Sequence, residues 1–483
     1  MAVSKEVGYD LDQMEYSVKA NYSKRKRLSA YYDGTFRLPS IGMSIPPALR
    51  SLQTTINWPR LYVDAIEGRR QLIGFAMGAT GQADPLCHEI WHDNNMDEKA
   101  NQAERESLVQ GRAYIVVGRY SEAEPNRPLI TVESGAGMAV KRSLRTGEVE
   151  SAYRYYGWDK NKGRYTYCTR YYTDRIEYYR RSDKSGLWQA DTEGGASVQP
   201  HDFEMVPVFP LANRPTLDDP DGRTEMADVI PLTDAVARSM TLLQGAQEIL
   251  AVPQRVYANV KEEDFIDGHG NPIPKWQAYL GAVQAFEDDV KVQQFSAADL
   301  RNFTEVMNHY GRLLTSVTGL PGYYIGQSTE NPASADAIRA SEARLIRTCE
   351  QLNTADSPTW RKVMRLCLYI RTGEWSEESR RLQAIWMDPS TPTKNALADA
   401  VDKQYRSGLI PKNFARRQMG YTPEEINMMI SEEEEDPLAS YVTMMQQAEM
   451  EKSDAASRVS DEETTGADGS DDDPENAGQR GNG

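Results

Sequence analysis

The chain has 483 residues, 39% of them hydrophobic and 26% charged, with a formal net charge of −17. That length corresponds to roughly three domains of about 150 residues and is enough to bury sizeable cores. No run of about eighteen apolar residues is present, so a membrane-spanning helix is not expected, and the acidic balance argues against tight, static binding of nucleic acid, which needs cations to neutralise phosphates. The charge is uneven: residues 431–483 hold 16 Asp and Glu against 3 Lys and Arg. The charged segment from Met1 to Met14 lacks the apolar stretch of a secretory signal. Cys87, Cys168, Cys349 and Cys367 fall without CxxC spacing, the pattern of reduced thiols rather than a disulfide framework.

Residues 10–110 are predicted to be mostly helical, with loops at Tyr31-Tyr32-Asp33-Gly34 and Ile45-Pro46-Pro47 and helical periodicity over Trp58–Ile66 and Cys87–Gln110. A strand-rich block at about 112–211 opens with Ala113-Tyr114-Ile115-Val116-Val117-Gly118. It continues through short aromatic runs such as Tyr153, Tyr155, Tyr165 and Tyr167, broken by Gly, Asp and Lys, as antiparallel meanders are. Residues 223–250 turn to helix: Asp228 is placed to cap it, Pro231 sits in the first turn, and Val229, Leu232, Val236, Met240 and Leu243 step by three or four. Residues 251–297 lose that period and predict a small α/β module, with strands over Arg255–Val260 and Val290–Phe295 and a helix near Lys275–Phe286.

A second helix is predicted over Ala298–Thr318, with Leu300, Phe303, Met307, Tyr310, Leu314 and Val317 as its apolar stripe. Gly319 to Ala333 interrupts it. Helices then follow from Ser334 to Leu352 and over Ser357–Arg371, a strand over Gln383–Met387, and helices near Lys394–Arg406, Pro411–Gln418, Pro423–Ser431 and Leu438–Lys452. From Ser453 onward the chain is too polar to fold alone and is expected to be disordered. The elements add up to an α+β fold, mainly helical, without tandem repeats.

One motif points to an enzyme. His88-Glu89-Ile90-Trp91-His92 matches HExxH, in which two His one helical turn apart bind zinc and the Glu acts as base of a metalloprotease. No HxxGxxH continuation follows, and a third ligand would have to come from an ordinary carboxylate such as Glu104 or Glu106; Ile90, Trp91 and Met96 read equally well as the buried side of a structural helix. The chain has no GxxxxGK[ST] phosphate loop, no GxSxG and no nucleophilic cysteine motif, so neither ATP hydrolysis nor any other catalysis is expected of it, and no cofactor or metal. A nucleic-acid-binding virion protein is the other competing class: Lys24-Arg25-Lys26-Arg27 is basic and the tyrosine-rich sheet offers stacking surfaces. The plainer account is a solvated helix face and cross-strand packing.

Several segments, in order and spacing, resemble the portal family of long-tailed bacteriophages. These are Tyr31-Tyr32-Asp33-Gly34, Ile45-Pro46-Pro47 leading to Asn57-Trp58-Pro59-Arg60, Gly111-Arg112-Ala113-Tyr114, and Gly222-Arg223-Thr224-Glu225. Glu330-Asn331-Pro332-Ala333-Ser334-Ala335-Asp336-Ala337-Ile338, Gly408-Leu409-Ile410-Pro411 and Met419-Gly420-Tyr421 complete the set, so the likeness covers roughly residues 15–432. The resemblance implies a ring, expected to hold twelve copies, whose subunit has a wing (1–222 and 334–390), stem helices (223–250 and 298–318), a clip (251–297), a tunnel loop (319–333) and a crown (391–452), ahead of the acidic tail at 453–483. It also implies double-stranded DNA passing through during packaging and ejection, with the terminase large subunit, head-completion or adaptor proteins, the major capsid protein and scaffold as partners, no membrane, and a place at one vertex of the virion after assembly in the host cytoplasm.

On that reading the loop at 319–333 faces DNA through Tyr323, Tyr324, Gln327 and Asn331, with Glu330 its one charge. Loops joining helices usually take about 2–8 residues, and longer ones tend to be functional; an ordinary surface loop closing a helical hairpin remains the alternative. Residues 223–319 hold 13 acidic and 8 basic side chains, a mildly repulsive wall for DNA. Arg238, Arg301 and Arg312 are candidates either for passing phosphate contacts or for salt bridges between or within subunits. The runs Glu262-Glu263-Asp264 and Glu287-Asp288-Asp289 are candidates for docking a basic partner such as the terminase or an adaptor, or are solvated loop charge.

Overall fold

Local capping chemistry sets the first helices of the computed structural model. The Ser4 hydroxyl accepts from Val7 N at the start of α1 (Lys5–Ala20), and α2 (Tyr22–Tyr32) follows after one residue. Asn57 caps α3 (Trp58–Glu67) and Asp84 caps α4 (Pro85–Asp93), each with proline in the first turn, where its missing N–H is harmless. The periodic run Cys87–Gln110 is broken: α4 ends before α5 (Met96–Gln110), and Asn95 between them has φ 52°. Asn tolerates that conformation, and the neighbouring buried Asn94 side chain accepts from Ile130 N at 2.8 Å and donates to Ile90 O at 2.9 Å. A short strand, β1 (Leu72–Ala76), lies within the stretch predicted as helical.

The structure describes residues 3–38, 54–77, 84–193, 195–250, 255–258, 291–294, 300–327, 335–390, 394–421, 425, 426 and 428–431. The chain divides into two units, residues 1–390 and 391–483. In the first, the strand-rich block forms two antiparallel sheets. One has the order β10-β2-β3, from β2 (Arg112–Arg119), β3 (Pro128–Ser134) and β10 (Val208–Ala212). The other runs β4-β5-β6-β7-β8, from β4 (Met138–Arg142), β5 (Val149–Asp159), β6 (Arg164–Tyr171), β7 (Arg175–Arg181) and β8 (Trp188–Ala190), with β9 (Val198–Pro200) also on β7. Its tyrosines pack as core and cross-strand pairs: Tyr153 and Tyr155 are buried and donate to Asp10 and to Leu11 O, both at 2.6 Å, tying α1 to the sheet.

Beyond the sheets come α6 (Val229–Leu250), the antiparallel pair β11 (Arg255–Ala258) and β12 (Lys291–Gln294), α7 (Arg301–Thr318), a 3₁₀ turn at Gly322–Ile325, α8 (Ala335–Thr372) and β13 (Gln383–Trp386). β13, the strand expected over Gln383–Met387, pairs with β1, more than 300 residues away, and that remote partner is why β1 could not be read from its local pattern. In the second unit α9 (Lys394–Arg406) and α10 (Lys412–Gln418) pack on each other. The module helix predicted near 275–286, the helix near 438–452 and the acidic tail lie outside the described residues.

The two helices predicted on either side of residue 353 are one. α8 runs for 38 residues, about 57 Å at 1.5 Å per residue, through Pro358. Proline removes the one intrahelical donor that would serve Thr354 O, but packing holds both flanks of the helix. Leu345, Cys349 and Leu352 lie in a core with α2, α3, α6 and α7, while Trp360, Val363, Met364 and Cys367 lie in another with β1, α4, α5 and β2. A third core joins α1 to the six-stranded sheet, and a fourth lies between the sheets. All four cysteines are free and buried, and burial pushes each thiol up.

Where the two α8 cores meet, Arg70 is buried at 3% exposure. Its Nε donates to Asn353 at 2.8 Å and its Nη2 to Asp356 at 2.5 Å, while Nη1 lies 3.8 Å from Glu104. One guanidinium faces two buried carboxylates. Burial pushes Glu104 up to about 8 against the opposing pull of Arg70, with Asp356 and Glu67 adding to the rise, and Glu104 Oε2 has no hydrogen-bond partner. Because the folded state holds this proton and the unfolded chain releases it near the ordinary carboxylate range, Glu104 erodes stability as pH rises from about 4.5 to about 8. Glu104→Gln removes that slope. Thermal denaturation at pH 5 and pH 8 is expected to show the variant gaining on the parent by roughly 1–3 kcal/mol at the higher pH; a pH-independent difference would contradict the assignment.

Candidate functional site

The segments Gly111-Arg112-Ala113-Tyr114 and Gly222-Arg223-Thr224-Glu225, far apart in sequence, meet at the foot of α6. A Cβ on Gly222 would lie 2.6 Å from Gly111 O and 2.5 Å from Asn213 O, so only glycine lets these backbones touch. Arg112 is ion-paired with Asp221, and Glu225 N donates to Leu108 O at 2.8 Å. The Glu225 carboxylate is buried under Arg214, at 2.6 and 2.8 Å, and accepts from Tyr62 at 3.0 Å and Asn213 at 3.1 Å. Burial would raise it, but Arg214, Asn213 and Tyr62 together hold it below the usual carboxylate range.

From this foot α6 runs out beside α7, which returns. Between them β11 pairs with β12 in the register Arg255 to Gln294 and Ala258 to Lys291. α7 buries Gly311, Leu314 and Thr318 and leaves Val306, Leu313 and Val317 39–44% exposed. Val317 therefore sits outside the buried stripe that spacing assigned to it. Arg238 on α6 and Arg301 and Arg312 on α7 are exposed.

α7 ends at Gly319, with φ 75° and its N–H on Thr315 O. A Cβ there would lie 2.7 Å from the Arg344 side chain, whose guanidinium donates to Ser316 O and, at 3.0 Å, to Val317 O, a cation on the helix C-terminus. The next residues are anchored. Leu320 and Pro321 are buried, and Tyr324 and Ile325 pack against the core shared with α8. Gln327 Nε2 donates to Asn308 O on α7 at 3.1 Å. The Tyr323 hydroxyl donates to Glu342, and burial and this bond push it up so that it stays neutral. The Tyr324 hydroxyl accepts from Arg69 at 3.2 Å, and the two tyrosine rings lie 4.9 Å apart. Glu342 is itself buried and paired with Arg69 at 2.8 Å, and Arg69 reaches on to Pro389 O at 3.1 Å.

The structure thus gathers Tyr323, Tyr324 and Gln327 onto α7 and α8. Asn331 and Glu330, and the acidic residues Glu262, Glu263, Asp264, Glu287, Asp288 and Asp289, lie outside the described residues. Sequence reasoning missed Arg69, Glu342 and Arg344. Glu342 and Arg344 carry the spacing of an ordinary helix, and nothing local links Arg69 to a carboxylate 273 positions on.

The HExxH segment lies on α4 with His88, Glu89 and His92 exposed, and Glu89 is paired with Arg371 at 2.6 Å. Cys87 points into the core. Of the third ligands considered, Glu104 belongs to the Arg70 cluster and Glu106 accepts from Ser134. Among the described residues no group of three or more His, Cys, Asp or Glu is arranged to hold a metal ion. The Lys24–Arg27 run is not one solvated face: Arg25 is buried against Gly135, and burial and Arg112 push it down to about 10.

Residues 11–453 match the family described as phage portal protein, SPP1 Gp6-like. The chain belongs to the phage portal protein family. It is 34% identical over 436 residues to the portal protein of Mycobacterium phage D29, covering 88% of each chain, and 34% identical over 419 residues to that of Mycobacterium phage L5, covering 84% of each. Among solved structures it is similar to the neck of a native GTA particle computed with C12 symmetry, with 15% identity, TM-score 0.41, and 78% of this chain and 94% of that one covered. It is also similar to the virion of a native gene transfer agent particle, with 15% identity, TM-score 0.41, and 82% and 99% covered.

In this portal protein the tyrosine turn depends on one buried ion pair. Arg69→Ala leaves Glu342 buried without its cation and is expected to cost roughly 3–5 kcal/mol, whereas Tyr323→Phe removes one hydrogen bond at roughly 1 kcal/mol. Denaturant unfolding of both variants checks the ranking, and equal effects would contradict it.

Proposed function

We propose that the chain is one subunit of a twelve-membered ring at a single capsid vertex, through which double-stranded DNA is packaged and later ejected. The observation that carries this reading is the portal-family match across residues 11–453, in a chain that runs helix, strand pair, helix, anchored turn and long helix in that order. Residues 223–250 and 298–318 are read as the stem, 251–297 as the clip, 319–333 as the tunnel loop, 1–222 with 334–390 as the wing, and 391–452 as the crown. The described part of the stem leaves Leu242, Val306, Leu313 and Val317 exposed on its two helices, apolar surface that neighbouring copies would cover.

The ring works as a conduit without catalysis of its own. Its stem and clip segment carries more acid than base, so the wall repels phosphates mildly, and Arg238, Arg301 and Arg312 offer transient contacts only. The packaging motor is a separate protein, since the chain has no phosphate-binding loop. The terminase large subunit, and later the head-completion or adaptor proteins, dock at the clip through the acidic runs at 262–264 and 287–289; the capsid protein and scaffold surround the wing during assembly in the host cytoplasm.

In this scheme the tunnel loop meets DNA with uncharged polar groups rooted on a charged clasp. Tyr323 presents a half-exposed ring whose hydroxyl is fixed by Glu342, and Gln327 is pinned to α7. Because Leu320 and Pro321 are buried, a clean exchange starts after them. Replacing residues 322–332 with a Gly-Ser linker is expected to preserve ring assembly, seen by sedimentation, and to deplete DNA-filled heads. Rings with normal packaging and retention would contradict the role of the loop.

A further inference from the structure

We propose that an arginine-lined cavity at the root of the stem helices receives a carboxylate side chain from a neighbouring copy of this chain. The inference rests on the ring reading and names a contact within it. The cavity has a volume of about 340 Å³ and lies between the foot of α6, the end of α7 and the first half of α8. Arg214, Arg223, Arg344 and Arg347 line it, against Glu225 and Asp228. Two of these arginines are engaged within the subunit, Arg214 by Glu225 and Arg344 by the last carbonyls of α7. Arg223 and Arg347 are exposed, and among the described residues neither guanidinium has a hydrogen-bonding or ionic partner. Glu225 cannot serve them, being already held by Arg214, Tyr62 and Asn213.

Both unpartnered arginines stand on rigid supports. Arg223 N donates to Asn213 O at 2.9 Å, beside the close contact of Gly222 with Gly111. Arg347 rides on α8 between the buried Leu345 and Cys349. A cationic socket built this way loses little freedom on binding, which favours a specific anionic group. Its size suits one or two side chains, whereas a duplex presents its phosphates along a broad convex surface.

The rim indicates which anion. Val317 lines the cavity and is 44% exposed, and Val306 and Leu313 continue the same face of α7 outward. An apolar strip beside arginines has the composition of a protein interface, while a phosphate track is rich in cations and polar groups. In a cyclic ring one face of a copy meets a different face of the next, and a chain with 72 acidic against 55 basic residues supplies carboxylates to such faces. The occupant is therefore an Asp or Glu of the adjacent subunit, seated with apolar neighbours along α7.

The test uses full-length Arg347→Lys protein, assembled from a mixture of isotopically heavy and light copies and treated with a water-soluble carbodiimide. Mass spectrometry is expected to find position 347 coupled to an Asp or Glu peptide of the opposite label. Rings in which position 347 couples only within one copy, or not at all, would overturn the proposal. A second variant, Arg223→Glu with Arg347→Glu, is expected to keep the melting temperature of the single chain and to lose ring assembly. Unchanged assembly overturns the proposal, and unchanged assembly with lost DNA retention assigns the socket to phosphate instead. Failure of the unmodified chain to form rings overturns the ring reading itself, before either variant is made.

Discussion

Arg69 and Arg70, at the turn between α3 and β1, hold the long helix α8 at Glu342, Asn353 and Asp356. Arg69 holds the first half of α8, and Arg70 holds it where its two cores meet. Each does so inside the protein, where an ion pair with one member removed is costly. The surrounding parts are arranged by this clasp. β1, next in the chain, pairs with β13 just beyond α8, and the tyrosine turn after α7 closes onto the same Glu342. Removing the clasp would leave a helix of 38 residues with a proline inside it, without its buried polar ties to the turn between α3 and β1.

The clasp also explains why a loop that reads as free in the sequence is structured at its start. Gly319 ends α7, Leu320 and Pro321 seat the chain, and the paired hydroxyls of Tyr323 and Tyr324 connect it to Glu342 and Arg69. Any force on the loop is passed to α8, and through α8 to both cores. In a ring of such subunits, the proposed contact between DNA and loop would bear on the most deeply embedded element of each subunit rather than on a surface hairpin. A channel that must retain DNA without gripping its phosphates is well served by that arrangement.

Much of the α6–α7 pair was legible because its signals are local. α6 and α7 show a three-to-four spacing of apolar residues, and Gly319 marks where α7 stops. Val317 misled, because an exposed apolar residue can share the spacing of one that faces the core. In the β1–β13 sheet, β13 was legible, but β1 and the pairing were not, since β1 is short and its partner remote. The break placed between Leu352 and Ser357 is absent because the packing of α8 on two cores and the Arg70 contacts at Asn353 and Asp356 belong to the fold, not to the local sequence. At the site, the tyrosines and Gln327 stood out by type, whereas Arg69 and Glu342 became functional candidates only once folding brought them together. HExxH shows the converse: a complete local pattern whose Glu89 is engaged by Arg371 and whose neighbouring Cys87 is buried.

As proposed, this portal-family chain acts as a ring with a central passage. Electron microscopy of the purified full-length protein, with two-dimensional class averages of end-on views, tests it most directly. The expected result is a twelve-fold ring with an open centre. A population made up only of compact single chains, or closed assemblies without a central opening, would contradict it.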